Sequence, residues 1–263
     1  MSKEELANVI ASWYWVPHGS IVLENERYRL SLWKNSPERN IVDRFNADDA
    51  GRLIDEVEAL VRKEGRRTLT WQCKPGSGPR DMGEWLQRRD YSLSDRLEYL
   101  CFDMGEGRTP RLPGLRTAAD AEVGKVRTIE DAVQSLRVSE GAFNEAPFTG
   151  DEILGRAEEL LRESGDEANM TIFGKVGGRT VCSGGATVEG NILKLWGAGT
   201  HPDYRKRGLY GSLVIARCTE GYRLGTRYAV VTARETTSTP ILVRAGFQRL
   251  GLELHYRKNL PVR

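Results

Sequence analysis

The sequence predicts an α/β (α+β) protein in two halves, each a mixed, mostly antiparallel sheet flanked by helices. Three observations support this prediction. Segments with a helical apolar period alternate with apolar runs of strand length, tight glycine turns join several of these runs, and one helix–turn–strand pattern occurs twice. A length of 263 residues fits either one large domain or two small ones. Residues 104–114, rich in glycine and proline without an apolar period, are the expected linker between them.

Before the linker, residues 49–64 have the pattern of an amphipathic helix. Acidic residues lead it, Arg62 and Lys63 close it, and Gly65 supplies the stop. Residues 68–73 follow as a strand, and residues 75–79 form a Pro/Gly-rich loop. The residues that share the apolar face of the helix are Leu53, Val57, Leu60 and Val61.

After the linker, two helices are predicted from their starts. Thr117 with Asp120 resembles a capping box and would open a helix that contains Val123, Val126, Ile129 and Val133. Thr149 with Glu152 three residues later would open the next helix, and Gly165 would end it.

Strands dominate the rest of the chain. Gly177-Gly178 and Glu189-Gly190 have hairpin chemistry, so the runs on either side of them are expected to pair. The predicted strands are 170–176, 180–188, 191–196, 228–233 and 248–257, and the helices between the later strands are 208–221 and 240–245.

An internal repeat favours two halves of one ancestry. Residues 86–91 and 96–102 can be laid over residues 242–247 and 252–258 without a gap. Residues 68–73 likewise fall near residues 228–233. The alternative is that these short segments are unrelated and match by chance.

Composition excludes several classes of protein. The 39 basic and 37 acidic residues are mixed along the chain and give a net charge of +2, so the domain-wide basic bias of a nucleic-acid binder is missing. No run approaches the roughly 18 to 20 apolar residues that span a membrane, and the first ten residues lack the pattern of a signal peptide. We therefore expect a cytoplasmic protein.

The four cysteines are scattered singly and no cluster has metal-binding spacing, so no metal site is predicted.

The stretch 195–214 is the most informative part of the sequence. A strand leads into a short basic loop that contains Arg205, Lys206 and Arg207 and opens a helix at Gly208. Backbone N–H groups at such a helix start can cradle a pyrophosphate, and glycine lets the backbone approach the anion. The alternative is a basic helix start that binds nothing, but cations are unfavourable there without an anion. The glycine and lysine patterns of P-loop and dinucleotide sites are absent.

These residues resemble the signature of the GNAT superfamily of acyl-CoA-dependent N-acyltransferases, [RQ]-x-x-G-x-[GA]. Arg205 and Gly208 match, whereas Tyr210 replaces the small third residue and Gly211 follows it. The preceding residues 200–204, Thr-His-Pro-Asp-Tyr, and the downstream residues 240–247 are also similar to the family. The resemblance covers about residues 115–260.

The resemblance implies that residues 112–263 form an N-acetyltransferase domain with acetyl-CoA between strands 191–200 and 228–233. Residues 1–106 would be a degenerate GNAT-like half, because the loop 45–51 is short, acidic and without Arg-x-x-Gly. The pantetheine arm would pair with the backbone of Ala198, Gly199 and Thr200. The pyrophosphate would contact Arg205, Lys206, Arg207, Gly208, Leu209, Tyr210, Gly211 and Ser212.

By the same resemblance, a backbone N–H at Gly197 or Ala198 would bind the oxyanion. The tyrosine that often protonates the leaving thiolate is replaced by Leu242. Glu145 and Glu235 are candidates for the general base, acting directly or through a water, with a solvated or capping role as the alternative for each.

The function that the sequence predicts is transfer of an acetyl group from acetyl-CoA to a primary amine of a small molecule or polypeptide by direct attack. The expected partner is that amine acceptor, with no nucleic acid and no membrane, and the expected state is a monomer or homodimer. A non-catalytic CoA-binding sensor or assembly module is the alternative. An aminoacyl-tRNA-dependent transferase is disfavoured, because such proteins usually lack the pyrophosphate loop.

Overall fold

Seven α-helices and eleven β-strands form within the described residues of the computed structural model, which are 1–17, 19–34, 36–105, 111–143 and 147–260. The predicted mixed α/β class is confirmed. The elements up to the linker are α1 (Lys3–Ala11), β1 (Ile21–Glu24), β2 (Tyr28–Leu32), β3 (Asn40–Phe45), α2 (Ala50–Lys63), β4 (Thr68–Cys73), α3 (Met82–Arg88) and β5 (Ser92–Asp103).

The elements after the linker follow the predicted order of helices and strands, apart from an added first strand. A short 3-10 turn (Pro202–Tyr204) lies directly before the basic loop. The elements are β6 (Glu122–Lys125), α4 (Ile129–Phe143), α5 (Gly150–Ser164), β7 (Asn169–Val176), β8 (Arg179–Glu189), β9 (Ile192–Thr200), α6 (Leu209–Arg223), β10 (Tyr228–Arg234), α7 (Ser238–Arg244) and β11 (Gln248–Asn259).

The last strand of the chain belongs with its first half. β11 pairs antiparallel with β4, from Leu254 opposite Cys73 to Asn259 opposite Thr68. Residues 250–260 therefore lie outside the unit formed by most of the range 112–263. The first compact unit is Met1–Tyr99, Ala233–Thr237 and Leu250–Arg263, and the second is Leu100–Thr232 and Ser238–Arg249.

In the first unit, the strand order is β1-β2-β3-β4-β11-β5, with β3 and β4 parallel. The apolar face predicted for α2 packs into its core, where Leu53, Val57 and Val61 are fully buried. Trp71 and Phe45 meet edge to face there, with 5.4 Å between ring centroids. Burial of such large rings contributes much of the stability of a small core.

In the second unit, the strand order is β10-β9-β8-β7-β6, and only β9 and β10 are parallel. Both predicted hairpin turns form, because Gly177, Gly178 and Gly190 adopt positive φ angles of 56°, 78° and 57°. α4 packs on β8 and β9, α5 packs on α4 and β7, and α6 packs on β7, β8 and β9.

One of the two predicted helix starts after the linker is wrong. Residues 122–125 form the edge strand β6, with Val123 opposite Gly174, and the helix begins only at Ile129. Thr128, whose hydroxyl accepts a hydrogen bond from Asp131 N at 3.1 Å, caps it instead of Thr117. The other start is confirmed, because Thr149 and Glu152 form a capping box.

The sequence repeat coincides with repeated local structure. α3 and α7 each have seven residues, and the strands that follow them, β5 and β11, each have twelve. Asp90 and Gly246 occupy the same place in the two turns, with positive φ angles of 63° and 101°. Tyr91 N donates to Leu86 O at 3.1 Å, and the corresponding bond after α7 is 3.0 Å long. A common origin of the two halves stays a prediction.

Candidate functional site

Two parallel strands of the second unit part at their carboxyl ends. β9 and β10 pair over four residues, and the last pair is Leu195 with Val231. Both strands run on beyond that pair, β9 as far as Thr200. Since no further register pair joins them within the described residues, a gap opens after Leu195. These are the two strands between which the resemblance to the GNAT superfamily implies a ligand.

β9 is irregular directly after the last pair. Gly184 of β8 stands opposite two residues of β9, Gly197 and Ala198. Two residues against one make a β-bulge, which takes backbone groups out of the hydrogen-bond ladder. Gly197 is exposed and has a φ angle of 58°. The bulge thus lies at the two residues for which the family resemblance implies an oxyanion-binding amide.

α6 starts without a capping side chain. Its N-cap is Gly208, with a φ angle of 91°, and no side chain within the described residues caps the helix from that position. The first turn also contains no acidic residue. The first N–H groups and the positive end of the helix dipole are therefore left for an anion.

The two glycines of this helix start are in close contact with the chain that precedes β6. A Cβ atom on Gly208 would lie 2.6 Å from the carbonyl carbon of Thr117, and one on Gly211 would lie 2.1 Å from the carbonyl oxygen of Arg116. Ser212 Oγ accepts a hydrogen bond from Ala118 N at 3.1 Å. In the sequence analysis, both glycines are attributed to the approach of an anion. The close approach of the backbone at Arg116 and Thr117 is already a sufficient reason for a glycine at each position.

The three basic side chains of the loop are exposed, and two of them have partners. Arg205 Nη2 donates to the Ala142 carbonyl at 3.2 Å. Arg207 forms an ion pair with Asp120. Lys206 adopts a positive φ angle of 63°, which is unfavourable for a residue with a side chain. The loop that carries these charges therefore has a strained backbone conformation at Lys206.

The other residues predicted to contact acetyl-CoA differ in exposure. Ala198, Thr200 and Tyr210 are half-buried, and Leu209 is buried. A Cβ atom on Gly199 would lie 2.6 Å from Ala142 Cβ, so the end of α4 packs on this part of β9. Burial raises the pKa of Tyr210, the residue that departs from the GNAT signature, although the nearby Arg217 opposes the shift.

The candidates for proton transfer are placed unequally. Leu242 is fully buried, so the position of the usual tyrosine contributes to the core. Glu235 receives hydrogen bonds from Arg96 Nε at 2.6 Å and Nη2 at 3.3 Å, so its carboxylate is held in a bidentate, charge-assisted pair. Glu145 lies outside the described residues.

The helix start in the first unit is built differently. α2 begins after Asp49, whose carboxylate accepts a hydrogen bond from Arg52 N at 2.9 Å. This carboxylate occupies the position at which an anion would meet the helix dipole, and its charge would repel phosphate.

The strands of the first unit also part, but chain residues lie beside the opening. β3 and β4 pair in parallel only at two positions, ending at Val42 opposite Trp71. Tyr14 lies 4.1 Å from the Arg29 guanidinium and 4.7 Å from Lys74 Nζ, measured to its ring centroid. Arg29 Nη1 also donates to Asp43 at 3.1 Å, and burial raises the pKa of this carboxyl. Sequence reasoning missed this buried polar group.

Arg217 is the second residue that sequence reasoning missed. It lies on α6 among Leu213, Val214 and Cys218 and is 2% exposed. A charged residue at a helical position that continues an apolar face was the available signal. The pattern gave no indication of what Arg217 would contact.

Two kinds of site are not found among the described residues. No group of three or more His, Cys, Asp or Glu side chains is placed to hold a metal ion. No helix in this part of the chain is long and apolar enough to cross a membrane.

Comparison with known proteins identifies the fold. No family model and no curated protein matches the sequence, whereas solved structures match most of the chain. A GCN5-related N-acetyltransferase from Sphaerobacter thermophilus is 14% identical, with 88% of this chain and 76% of that chain covered and a TM-score of 0.67. Another from Kribbella flavida is 14% identical, with 91% and 89% covered and a TM-score of 0.64. A tandem GNAT protein from the clavulanic acid biosynthesis pathway is 14% identical, with 96% and 87% covered and a TM-score of 0.61.

Proposed function

Because the chain has the fold of the GNAT N-acetyltransferases, we propose that it is an acyl-CoA-dependent N-acetyltransferase. The acceptor in this proposal is a primary amine of a small molecule or polypeptide, which attacks the acetyl group directly. The observation that carries the proposal is the opening between β9 and β10, which lies in the same unit as an uncapped, basic helix start. Fold alone does not imply function, whereas these local features are the ones that would bind the ligand.

The residues around the opening fit a CoA thioester. Exposed Arg205, Lys206 and Arg207, with the first N–H groups of α6, would hold the pyrophosphate. The backbone of β9 from Ala198 to Thr200 would pair with the pantetheine arm. Acetyl-CoA, when bound, supplies an acetyl group already activated as a thioester.

The chain's own contribution to the reaction would be mainly electrostatic. An amide at the bulge, from Gly197 or Ala198, would stabilise the negative charge that develops on the carbonyl oxygen. Glu145 or Glu235 would accept the amine proton, directly or through a water. With Leu242 buried at the usual tyrosine position, the leaving sulfur would depart as a thiolate, which its ordinary pKa of about 8.5 permits.

We also propose that residues 1–106 form a GNAT-like half that does not bind CoA. The Asp49 carboxylate at the start of α2 supports this, since the equivalent helix start in the second unit has no acidic residue. Residues 112–263 would supply the acetyl-CoA site, although the last strand of this range pairs within the first unit.

A non-catalytic CoA-binding protein is the second candidate function. Two observations favour it: Leu242 cannot donate a proton, and the Glu235 carboxylate is held by Arg96. This alternative uses the same binding residues and differs only in turnover.

We expect the full chain to bind acetyl-CoA and to release free CoA only when a suitable amine is present. The test is calorimetry with acetyl-CoA, followed by thiol release with a panel of polyamines, aminoglycosides, amino acids and peptide N-termini. Acceptor-dependent thiol release supports the enzyme. Binding without turnover across the panel supports the non-catalytic CoA-binding protein. Absence of acetyl-CoA binding contradicts both candidate functions.

The protein's own cysteines are expected to react slowly in this thiol assay. Burial raises the pKa of Cys73, Cys101 and Cys218 to about 12 and that of Cys182 to about 11. Because the thiolate is the reactive form, the folded chain should show less than about one reactive thiol at pH 8. Denaturant should expose all four, and rapid labelling of the folded chain would contradict the assigned burial.

A further inference from the structure

Arg217 is a buried cation that has no carboxylate partner among the described residues. Its hydrogen bonds go to backbone carbonyls. Nε donates to Leu213 O at 3.1 Å within α6, and Nη1 donates to Gly185 O at 3.0 Å and to Trp196 O at 3.4 Å. A single guanidinium thus joins α6 to neighbouring residues of β8 and β9.

Such an arrangement needs a physical reason, because removing a charge from water without an opposite charge is costly. Burial lowers the pKa of Arg217, but the ordinary value is so high that the group stays protonated. Carbonyl dipoles compensate only in part. The second unit therefore keeps a buried positive charge where α6 meets β8 and β9.

The charge lies directly beneath the bulge of β9. Gly185 and Trp196, whose carbonyls accept the Arg217 bonds, face each other as the last pair before it. A Cβ atom on Gly184, the residue opposite the bulge, would lie 3.2 Å from Arg217 Nη1. The carbonyl of Trp196 and the N–H of Gly197 belong to one peptide group. A cation bound to the oxygen of a peptide group polarises its N–H and makes it a stronger donor.

We propose that Arg217 is a positioning residue for acetyl transfer, which fixes the bulge and polarises the Trp196–Gly197 peptide group so that the Gly197 amide stabilises negative charge on the acyl oxygen. This inference rests on the proposed function. Negative charge develops only during the reaction, so the buried cation would lower the barrier more than it would strengthen binding of acetyl-CoA.

The polarisation can be measured without any acceptor. Trp196-Gly197 is the only Trp-Gly pair in the sequence. Full-length protein labelled with carbonyl-13C tryptophan and 15N glycine therefore gives one cross-peak that reports on this peptide group. In Arg217→Met we expect the carbonyl carbon and the amide nitrogen to move upfield, and in Arg217→Lys we expect smaller shifts. Arg29→Met, which removes a buried guanidinium from the first unit, is the matched control and should leave the peak in place.

Kinetics with an acceptor from the panel test the role in transfer. Arg217→Met should lower kcat by about 30-fold, less than the loss of a direct oxyanion donor, and should change KM for acetyl-CoA by less than about threefold. Arg217→Lys keeps the charge and should recover part of kcat. If Arg217→Met does not fold, the comparison of wild type with Arg217→Lys decides both measurements.

An unmoved cross-peak, or an unchanged kcat with a moved cross-peak, overturns the role of Arg217. A wild-type protein that binds no acetyl-CoA overturns the proposed function instead, and the cross-peak still decides whether Arg217 polarises the peptide group. A parallel rise in KM and fall in thermal stability, with kcat retained, would show that Arg217 only supports the fold.

Discussion

Reversing the charges of Arg205 and Lys206 together is expected to weaken acetyl-CoA binding by about 300-fold. Each charge-assisted contact to phosphate contributes about 1.5 to 3 kcal/mol, and every 1.4 kcal/mol is about tenfold in affinity. A glutamate at each position also adds repulsion at a helix start that has no other cap. Both side chains are exposed, so the melting temperature should change by less than about 2 °C.

Calorimetry with acetyl-CoA and a thermal melt measure the two effects in the same sample. Lys63→Glu with Arg67→Glu is the matched control, because it makes the same change in net charge at exposed residues of the first unit. The control should bind acetyl-CoA as the wild type does. Equal loss of affinity in both double variants would show a general effect of charge and would contradict the assigned loop.

Charge reversal tests this loop better than a substitution of Gly208. With a φ angle of 91°, this position is strained for any other residue, and a side chain would meet the backbone of Thr117. Gly208→Asp would therefore change the fold and the ligand site together. Charge reversal at the exposed Arg205 and Lys206 changes the ligand site without changing the fold.

Local chemistry explains which parts of the fold could be predicted from the sequence. The hairpin turns at Gly177-Gly178 and Gly190 need positive φ angles, which glycine adopts at low cost, and Gly208 starts a helix for the same reason. The capping box of Thr149 is equally local. Each of these features depends on a few neighbouring residues, and the structure has each where the sequence placed it.

Features that depend on distant residues could not be predicted. The pattern of β11 is that of a strand, but nothing in it specifies β4 as a partner. Thr117 has the residue type of a helix cap, yet it packs against Gly208 and the true cap is Thr128. The contacts of Arg217 with two strands likewise follow from tertiary structure. Register and buried polar contacts are set by packing, which a single sequence does not show.

The shifted signature also has a structural counterpart. Tyr210 stands where the GNAT pattern has a small residue, and the next residue, Gly211, is the one that lies against the Arg116 carbonyl. The small residue that close packing requires is thus present one position later. The start of α6 therefore has a residue without a side chain where it contacts the Arg116 carbonyl, although the GNAT sequence pattern is not matched at Tyr210.

Gly211→Ala is therefore expected to destabilise the chain by about 3 kcal/mol, the upper end of the usual cost of overpacking. The new methyl group would lie 2.1 Å from the Arg116 carbonyl oxygen, which is backbone and cannot rotate away. Displacing residues 115–118 would also disturb Ser212, whose hydroxyl accepts a bond from Ala118 N. Chemical denaturation should show the lost free energy of unfolding, and calorimetry should show weaker acetyl-CoA binding.

Gly155→Ala makes the same chemical change with the opposite expected sign. Gly155 lies in the exposed part of α5, and a Cβ atom there would have no atom within 4 Å. Because alanine restricts the unfolded chain and favours helix, this variant should be more stable by about 0.5 to 1 kcal/mol. Acetyl-CoA binding should be unchanged. If both variants gained stability, the close contact between Gly211 and Arg116 would be wrong, and with it the structural reason for the shifted signature.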